Sequence, residues 1–197
     1  MRDRTAMDQK CLQPAMPARR LMLKTALGLG AAMVLPLPVL ARGLLVPDVG
    51  RELSLLNLHT GERLNAEYWL HGRYVPDALR AVAVVLRDHS NNKIHPIDPL
   101  LLDLIHQLHA TVDSTAPFNV ISGYRSPETN ALMHEASAGV AAHSLHMEGR
   151  AIDIRLPGTG LAHVRQAALA MKSGGVGYYS QDDFVHVDTG AVRCWGV

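Results

Sequence analysis

An apolar run over residues 25–40, led by Arg19-Arg20-Leu21-Met22-Leu23-Lys24 and closed by Val39-Leu40-Ala41, removes residues 1–41 from any folding argument. Basic, apolar and small-residue stretches in that order define an export signal. Paired arginines followed by an apolar pair and a lysine have the twin-arginine form, which carries already folded proteins across a membrane. A spanning helix needs about 20 apolar residues, whereas Gly28, Gly30, Pro36 and Pro38 interrupt this shorter run. The expectation is therefore a cleaved leader, a periplasmic product and no stable membrane span after cleavage. Met16 offers a second start besides Met1, opening the leader as Met-Pro-Ala-Arg-Arg.

Residues 42–197 remain, enough for one compact domain. Cys11 departs with the leader, which leaves Cys194 to be read as a packed small apolar residue with no intramolecular disulfide. The fold must then rest on its apolar core, with a bound metal as the other available support. A formal net charge of +1 gives no basic surface to displace counterions, so nucleic acid is excluded as a partner.

Apolar stretches at 53–58 and 64–70 around Thr60-Gly61-Glu62 predict a hairpin at one edge of the domain. Pro76-Asp77 and Asp98-Pro99 each open a stretch of helical periodicity, over 76–88 and 100–108. Residues 118–121 read as a strand that ends in Ser122-Gly123-Tyr124-Arg125, and Ser126-Pro127-Glu128 caps a helix to about residue 136. Residues 137–144 read as loop, 150–156 as strand, 161–171 as helix and 184–189 as a last strand. Gly174-Gly175-Val176-Gly177 reads as a tight turn or a close backbone approach.

The segment richest in chemistry is Ser144-Leu145-His146-Met147-Glu148-Gly149-Arg150-Ala151-Ile152-Asp153, in which a glycine turn separates a histidine from an aspartate seven positions on. Imidazole nitrogen and carboxylate oxygen are both zinc donors, and such a turn can bring the two around one ion. In Phe184-Val185-His186-Val187-Asp188 strand alternation puts Phe184, His186 and Asp188 on one face and the valines on the other. A third ligand can thus arrive from a neighbouring strand.

These strings, with Leu53 to Glu62, Leu86-Arg87-Asp88-His89, Ser122 to Pro127 and Gly174 to Tyr179, resemble the zinc D-Ala-D-Ala carboxypeptidases and hedgehog-type metallopeptidases. The branch they are most similar to is the YcbK-like group of exported murein endopeptidases, along nearly the whole of 42–197. The resemblance implies His146, Asp153 and His186 as metal ligands, Zn2+ as cofactor and a fourth position open for water or the scissile carbonyl. It implies Arg125 as the catalytic and substrate-binding arginine, with Ser144 also touching substrate. Some relatives carry a glutamate three residues before the second histidine, where this chain has Asp183, the first candidate for general base; His143 is the reserve.

The expected fold is α+β, with a small antiparallel sheet carrying the ligands, helices on one side and a groove on the other. The expected activity is hydrolysis of amide bonds in peptidoglycan peptides by a cross-link-cleaving murein endopeptidase. The alternatives are a D-Ala-D-Ala carboxypeptidase and a non-catalytic zinc-containing module that binds the cell wall. His59, His71, His89, His95, His106, His109, His134 and His163 are expected to be ordinary surface or satisfied core residues. Glu148 is expected in solvent. Asp188 either orients a ligand or ties the following turn.

Overall fold

The computed structural model describes residues 50–137 and 139–196; the expected leader, and the boundary after residue 41, lie outside them. Arg51–Asn57 (β1) and Arg63–Leu70 (β2) form the expected hairpin, with Gly61 at a φ of 74° in its turn, a conformation glycine adopts without steric penalty. Arg73–Tyr74 (β3) adds a short strand outside β2. Pro76–Val85 (α1) and Pro99–Thr111 (α2) follow, each with proline in its first turn, and Asp98 accepts a hydrogen bond from the Leu100 amide to cap α2.

Phe118–Ser122 (β4) leads into Pro127–Ala136 (α3), capped by the Ser126 hydroxyl, which accepts from the Thr129 amide. A short 3₁₀ turn, Leu145–Glu148, precedes Ala151–Arg155 (β5) and Leu161–Met171 (α4). Gly175–Tyr179 (β6), Phe184–Asp188 (β7) and Arg193–Gly196 (β8) complete the described chain. All eight strands join one sheet in the order β3-β2-β1-β4-β5-β7-β6-β8.

The α+β class is as expected, but the sheet is neither small nor wholly antiparallel. Strand β1 runs parallel to β4, and β6 parallel to β8. Part of the difference comes from Gly175 to Gly177, which open strand β6 and do not form a turn, while the close backbone approach, the other reading of this segment, is met at Gly174. Glycine is needed there because neighbouring groups press on the backbone. A Cβ on Gly174 would meet the Asp188 carbonyl oxygen, and one on Gly177 would lie 2.7 Å from the Trp195 ring. Cys194 of β8 is not a free thiol, which corrects its reading as a simple packing residue; the chain's other cysteine, Cys11, lies outside the described residues.

Alternation along the strands divides the sheet into two chemically different faces. Ile152 and Ile154 of β5 and Val185 and Val187 of β7 join Leu53, Leu55, Phe118 and Val120 in a core closed by Leu101, Ile105, Leu108 and Val164 from the helices. Helix α1 packs on β2, α2 on β1 and α4, and α4 on β6 and β7. The intervening residues, Asp153, His186 and Asp188, turn away from the core into a cavity.

One polar cluster ties the β1–β3 edge to α2. Asp103 accepts hydrogen bonds from Arg51 (2.7 Å), Tyr68 (2.9 Å) and Tyr74 (2.8 Å). Burial opposes ionisation of Asp103, yet these donors outweigh it and hold the carboxyl below its ordinary range. A carboxylate whose pKa falls on folding contributes stability present above its unfolded pKa of about 3.9 and lost as pH drops through the folded value. Asp103→Asn is therefore expected to lower stability to urea at pH 7 by about 1–3 kcal/mol. Its deficit relative to the unaltered chain should shrink below about pH 4, which denaturation midpoints across pH will measure; a deficit independent of pH would contradict it.

Candidate metal centre

Strand register builds the centre. Asp153 of β5 and His186 of β7 are directly paired across the antiparallel ladder, so both side chains rise from the same face, about 5 Å apart at Cβ. His146 reaches the same point from the 3₁₀ turn, which is closed by Gly149 in the left-handed region at φ 66°. A side chain there would collide with the Pro96 carbonyl oxygen, so this turn demands glycine for both conformation and space. His146, Asp153 and His186 are all buried, and their donor atoms lie within 4.8 Å of one another.

The individual distances fit a single small cation. His186 Nδ1 is 2.9 Å from Asp153 Oδ1 and 3.1 Å from His146 Nε2, and His146 Nε2 is 3.3 Å from the same oxygen. Donors held about 2.0–2.2 Å from a tetrahedral ion stand about 3.3–3.6 Å apart, so little adjustment is needed to enclose one.

The other nitrogen of each imidazole is already used. His146 Nδ1 lies 2.7 Å from the Gly123 carbonyl oxygen, which only accepts, so that nitrogen carries the proton and Nε2 keeps its lone pair for the ion. His186 Nε2 donates to Asp188 Oδ2 at 3.0 Å, leaving Nδ1 to face the ion. Outer acceptors of this kind fix tautomer and ring orientation at metal sites. Asp188 also ties the following turn: its other oxygen accepts from the Gly175 and Gly190 amides, while Arg193 donates to both oxygens. It therefore ties the turn and, through His186 Nε2, is placed to orient that ring toward an ion.

Electrostatics favour a positive charge here. Burial opposes ionisation of Asp153, but the adjacent His146 and His186 hold its carboxyl well below the usual range. Asp188 is likewise held low against burial, by His186, Arg193 and two backbone amides. Burial works against a charge on His186, yet hydrogen bonds to Asp153 and Asp188 prevail and raise its pKa. A divalent ion would compete with that proton for the same position.

The centre lies in a cavity of about 770 Å³. Arg125 is at its wall, nearly buried, with its guanidinium 3.3 Å from Ser122 Oγ, 3.4 Å from Asn130 Oδ1 and 3.8 Å from Asp153 Oδ2. Ser144 also lines the cavity, but its hydroxyl accepts from the His146 amide and caps the 3₁₀ turn.

Asp183 is the exception. Its carboxylate pairs with Arg155 at 2.8 Å, its side chain is 62% exposed, and it borders a separate depression with Asn119 and Leu161. Among its neighbours only Asp182 and Phe184 reach the cavity. A φ of 55° at Asp183 turns the chain into β7, so equal spacing along the sequence does not deliver this carboxylate to the centre.

His143, the reserve base, does line the cavity. So do His59 and His89, which sequence reasoning left as ordinary residues, and the aromatic group Tyr179, Phe184 and Trp195. Their positions depend on pairings between distant loops and strands, which local spacing does not encode. His106, His109 and His134 each bond a backbone carbonyl oxygen elsewhere, and Glu148 pairs with Arg150 in solvent.

Sequence comparison gives the family. The family model described as peptidoglycan L,D-endopeptidase MepK matches residues 47–195. The chain belongs to the MepK family of peptidases. The relative named peptidoglycan L,D-endopeptidase MepK from Escherichia coli K12 is 42% identical over 177 residues, covering 90% of this chain and 96% of its own. A probable peptidoglycan L,D-endopeptidase MepK from Haemophilus influenzae is 40% identical over 146 residues, covering 74% and 78%.

Because Asp188 holds His186 through its outer nitrogen, Asp188→Asn is expected to weaken metal binding by about 10–100-fold. Competition titration with a chromogenic chelator measures it, and unchanged affinity would remove Asp188 from the metal-holding role.

Proposed function

We propose that the chain is a zinc-dependent peptidoglycan endopeptidase that hydrolyses amide bonds in the peptide cross-links of the bacterial cell wall, foremost those between two diaminopimelate residues. The observation that carries this is the convergence of His146 Nε2, Asp153 Oδ1 and His186 Nδ1 with both remaining imidazole nitrogens occupied. The naming of its relatives as L,D-endopeptidases supports the substrate class. Residues 1–41 are assigned as a twin-arginine export signal and 42–197 as the peptidase domain, which puts the enzyme in the periplasm with its substrate. Among the described residues no helix is long and apolar enough to cross a membrane.

Zinc bound at this site would lower the pKa of its water to about 7 and polarise the scissile carbonyl. The chain's own groups do the rest. His146, Asp153 and His186 supply three donors and leave the cavity side open. Arg125 orients the peptide and meets the negative charge that develops on the carbonyl oxygen, a task suited to its planar fork of donors. Of the two bases the sequence suggests, His143 is the one that lines the cavity, and it takes the water's proton and returns it to the leaving amine.

Digestion of defined muropeptides followed by mass spectrometry tests the reading. Cleavage of cross-linked dimers is expected, abolished by a chelator and restored by zinc; release of terminal D-alanine alone would replace the endopeptidase with a carboxypeptidase, and no cleavage would leave a binding module. His143→Ala is expected to lower kcat by about 100-fold or more with metal content intact. Asp183→Ala should stay within about twofold, as for a surface change remote from the site. The reverse pattern would return the base role to Asp183.

A further inference from the structure

On the wall of the cavity that carries Arg125, the rings of His59 and His89 lie face to face, 3.7 Å between centroids and 2° from parallel. Neither belongs to the metal cluster. His59 follows β1 and His89 follows α1, so three separate loops must be held together to bring this pair beside Arg125.

Two buried polar side chains do the holding. Asn57 donates to the Val85 carbonyl at 2.8 Å and accepts from the His59 and Thr60 amides, joining the first loop to the second. Asp88 accepts from the Ser90 amide and, at 2.9 Å, from the Ser126 amide, joining the second to the Arg125 turn. The Tyr124 amide bonds the Leu86 carbonyl oxygen at 2.7 Å, and His59 Nε2 lies 2.9 Å from that of Ile121. Polar groups with 4% and 2% exposure are retained only when fully bonded, and the bonds made here fix one arrangement of the rim.

The donors of this wall are not consumed by its carboxylate. Both oxygens of Asp88 are occupied by backbone amides, and Arg125 bonds neutral Asn130 and Ser122, with its pair to Asp153 Oδ2 stretched to 3.8 Å. Burial, the stacked His59 and Arg125 depress the pKa of His89, opposed by Asp88. Ring N–H groups together with a guanidinium are donors that suit an arriving carboxylate.

We propose that the His59–His89 pair, on the same wall as Arg125, forms a subsite for a free carboxylate of the substrate peptide and selects cross-links whose diaminopimelate carboxylate is ionised over those in which it is amidated. The subsite rests on the endopeptidase reading above and adds specificity to it. His59 and His89 are specificity-determining residues, distinct from the metal ligands and from the proton-transfer group.

The test compares two synthetic cross-linked dimers, identical except for carboxylate against carboxamide at that position, using the zinc-loaded chain. The unaltered protein is expected to prefer the carboxylate form by about tenfold in kcat/KM, the effect of one charge-assisted hydrogen bond, expressed mainly in KM. His59→Ala/His89→Ala should bring the preference to within about twofold while metal content, melting temperature and turnover of the amidated dimer stay near those of the unaltered protein. If the double variant melts early, His89→Ser alone, at an exposed position, should show the same partial loss of preference, and His89→Lys should regain it. Equal turnover of the two dimers by the unaltered protein, or a preference that survives both substitutions, would overturn the subsite and leave the peptidase standing. Failure to cleave either dimer would overturn the peptidase reading and the subsite with it.

Discussion

The pairing of β5 with β7 sets everything else in the centre. Asp153 stands opposite His186 only because the antiparallel ladder is in one register, and side-chain direction alternates with a period of two. A slip of β7 by one residue against β5 would turn His186 and Asp188 into the aliphatic core and bring Val185 and Val187 out to the cavity beside Asp153. The hydrophobic effect therefore specifies the geometry of the candidate donors indirectly. Exposing two branched aliphatic side chains at about 1.5–3 kcal/mol each, while burying a histidine and a carboxylate, makes the alternative register prohibitively costly. That preference exists before any ion arrives, so the donors are preorganised by the packing of the opposite face.

Holding the third donor is a different problem, solved by backbone. His146 lies outside the ladder, on a turn whose direction depends on Gly149 and whose hydrogen bonds reach into two other loops. Its carbonyl accepts from the Arg125 amide at 3.1 Å, and its ring donates to Gly123. The arginine and the histidine are thus cross-connected through one turn. A displacement of either must move the other, which keeps the guanidinium and the metal-facing nitrogen in fixed relation. On the far side, Asp188 draws the start of β6, the turn after β7 and Arg193 around the outer nitrogen of His186. The two imidazoles are consequently oriented by acceptors from opposite ends of the site.

This division explains what was legible in the sequence. The faces of β5 and β7, the caps at Asp98 and Ser126, the prolines that open three helices and the glycine turn before Asp153 are local signals, and each is visible within a few residues. The eight-stranded sheet was not, because β6 is glycine-rich for reasons that lie in the side chains pressing on it, Asp188 and Trp195, and β8 is too short to show a pattern. Asp183 lies away from the centre for a related reason. Counting back three residues from His186 assumes a continuous strand, whereas the left-handed residue at Asp183 turns its carboxylate toward Arg155. Position in a motif transfers between relatives only as far as the backbone between motif members does.

The rim formed by the loops after β1 and α1 carries the same lesson. Asn57 and Asp88 read in sequence as ordinary polar residues near the ends of a strand and of a helical stretch, and each is nearly inaccessible because it satisfies amides and carbonyls of segments that meet only in the folded chain. Buried side chains used this way add little net stability per bond, about 0.5–1.5 kcal/mol, and cost more than that if one partner is lost. They restrict which loop conformations are compatible with a closed core. Placing them under His59, His89 and Arg125, and not beneath a featureless part of the surface, braces the wall that carries Arg125 beside the candidate metal donors. Rigidity matters there because a polar group that must reorganise to receive a ligand loses part of its binding energy in doing so.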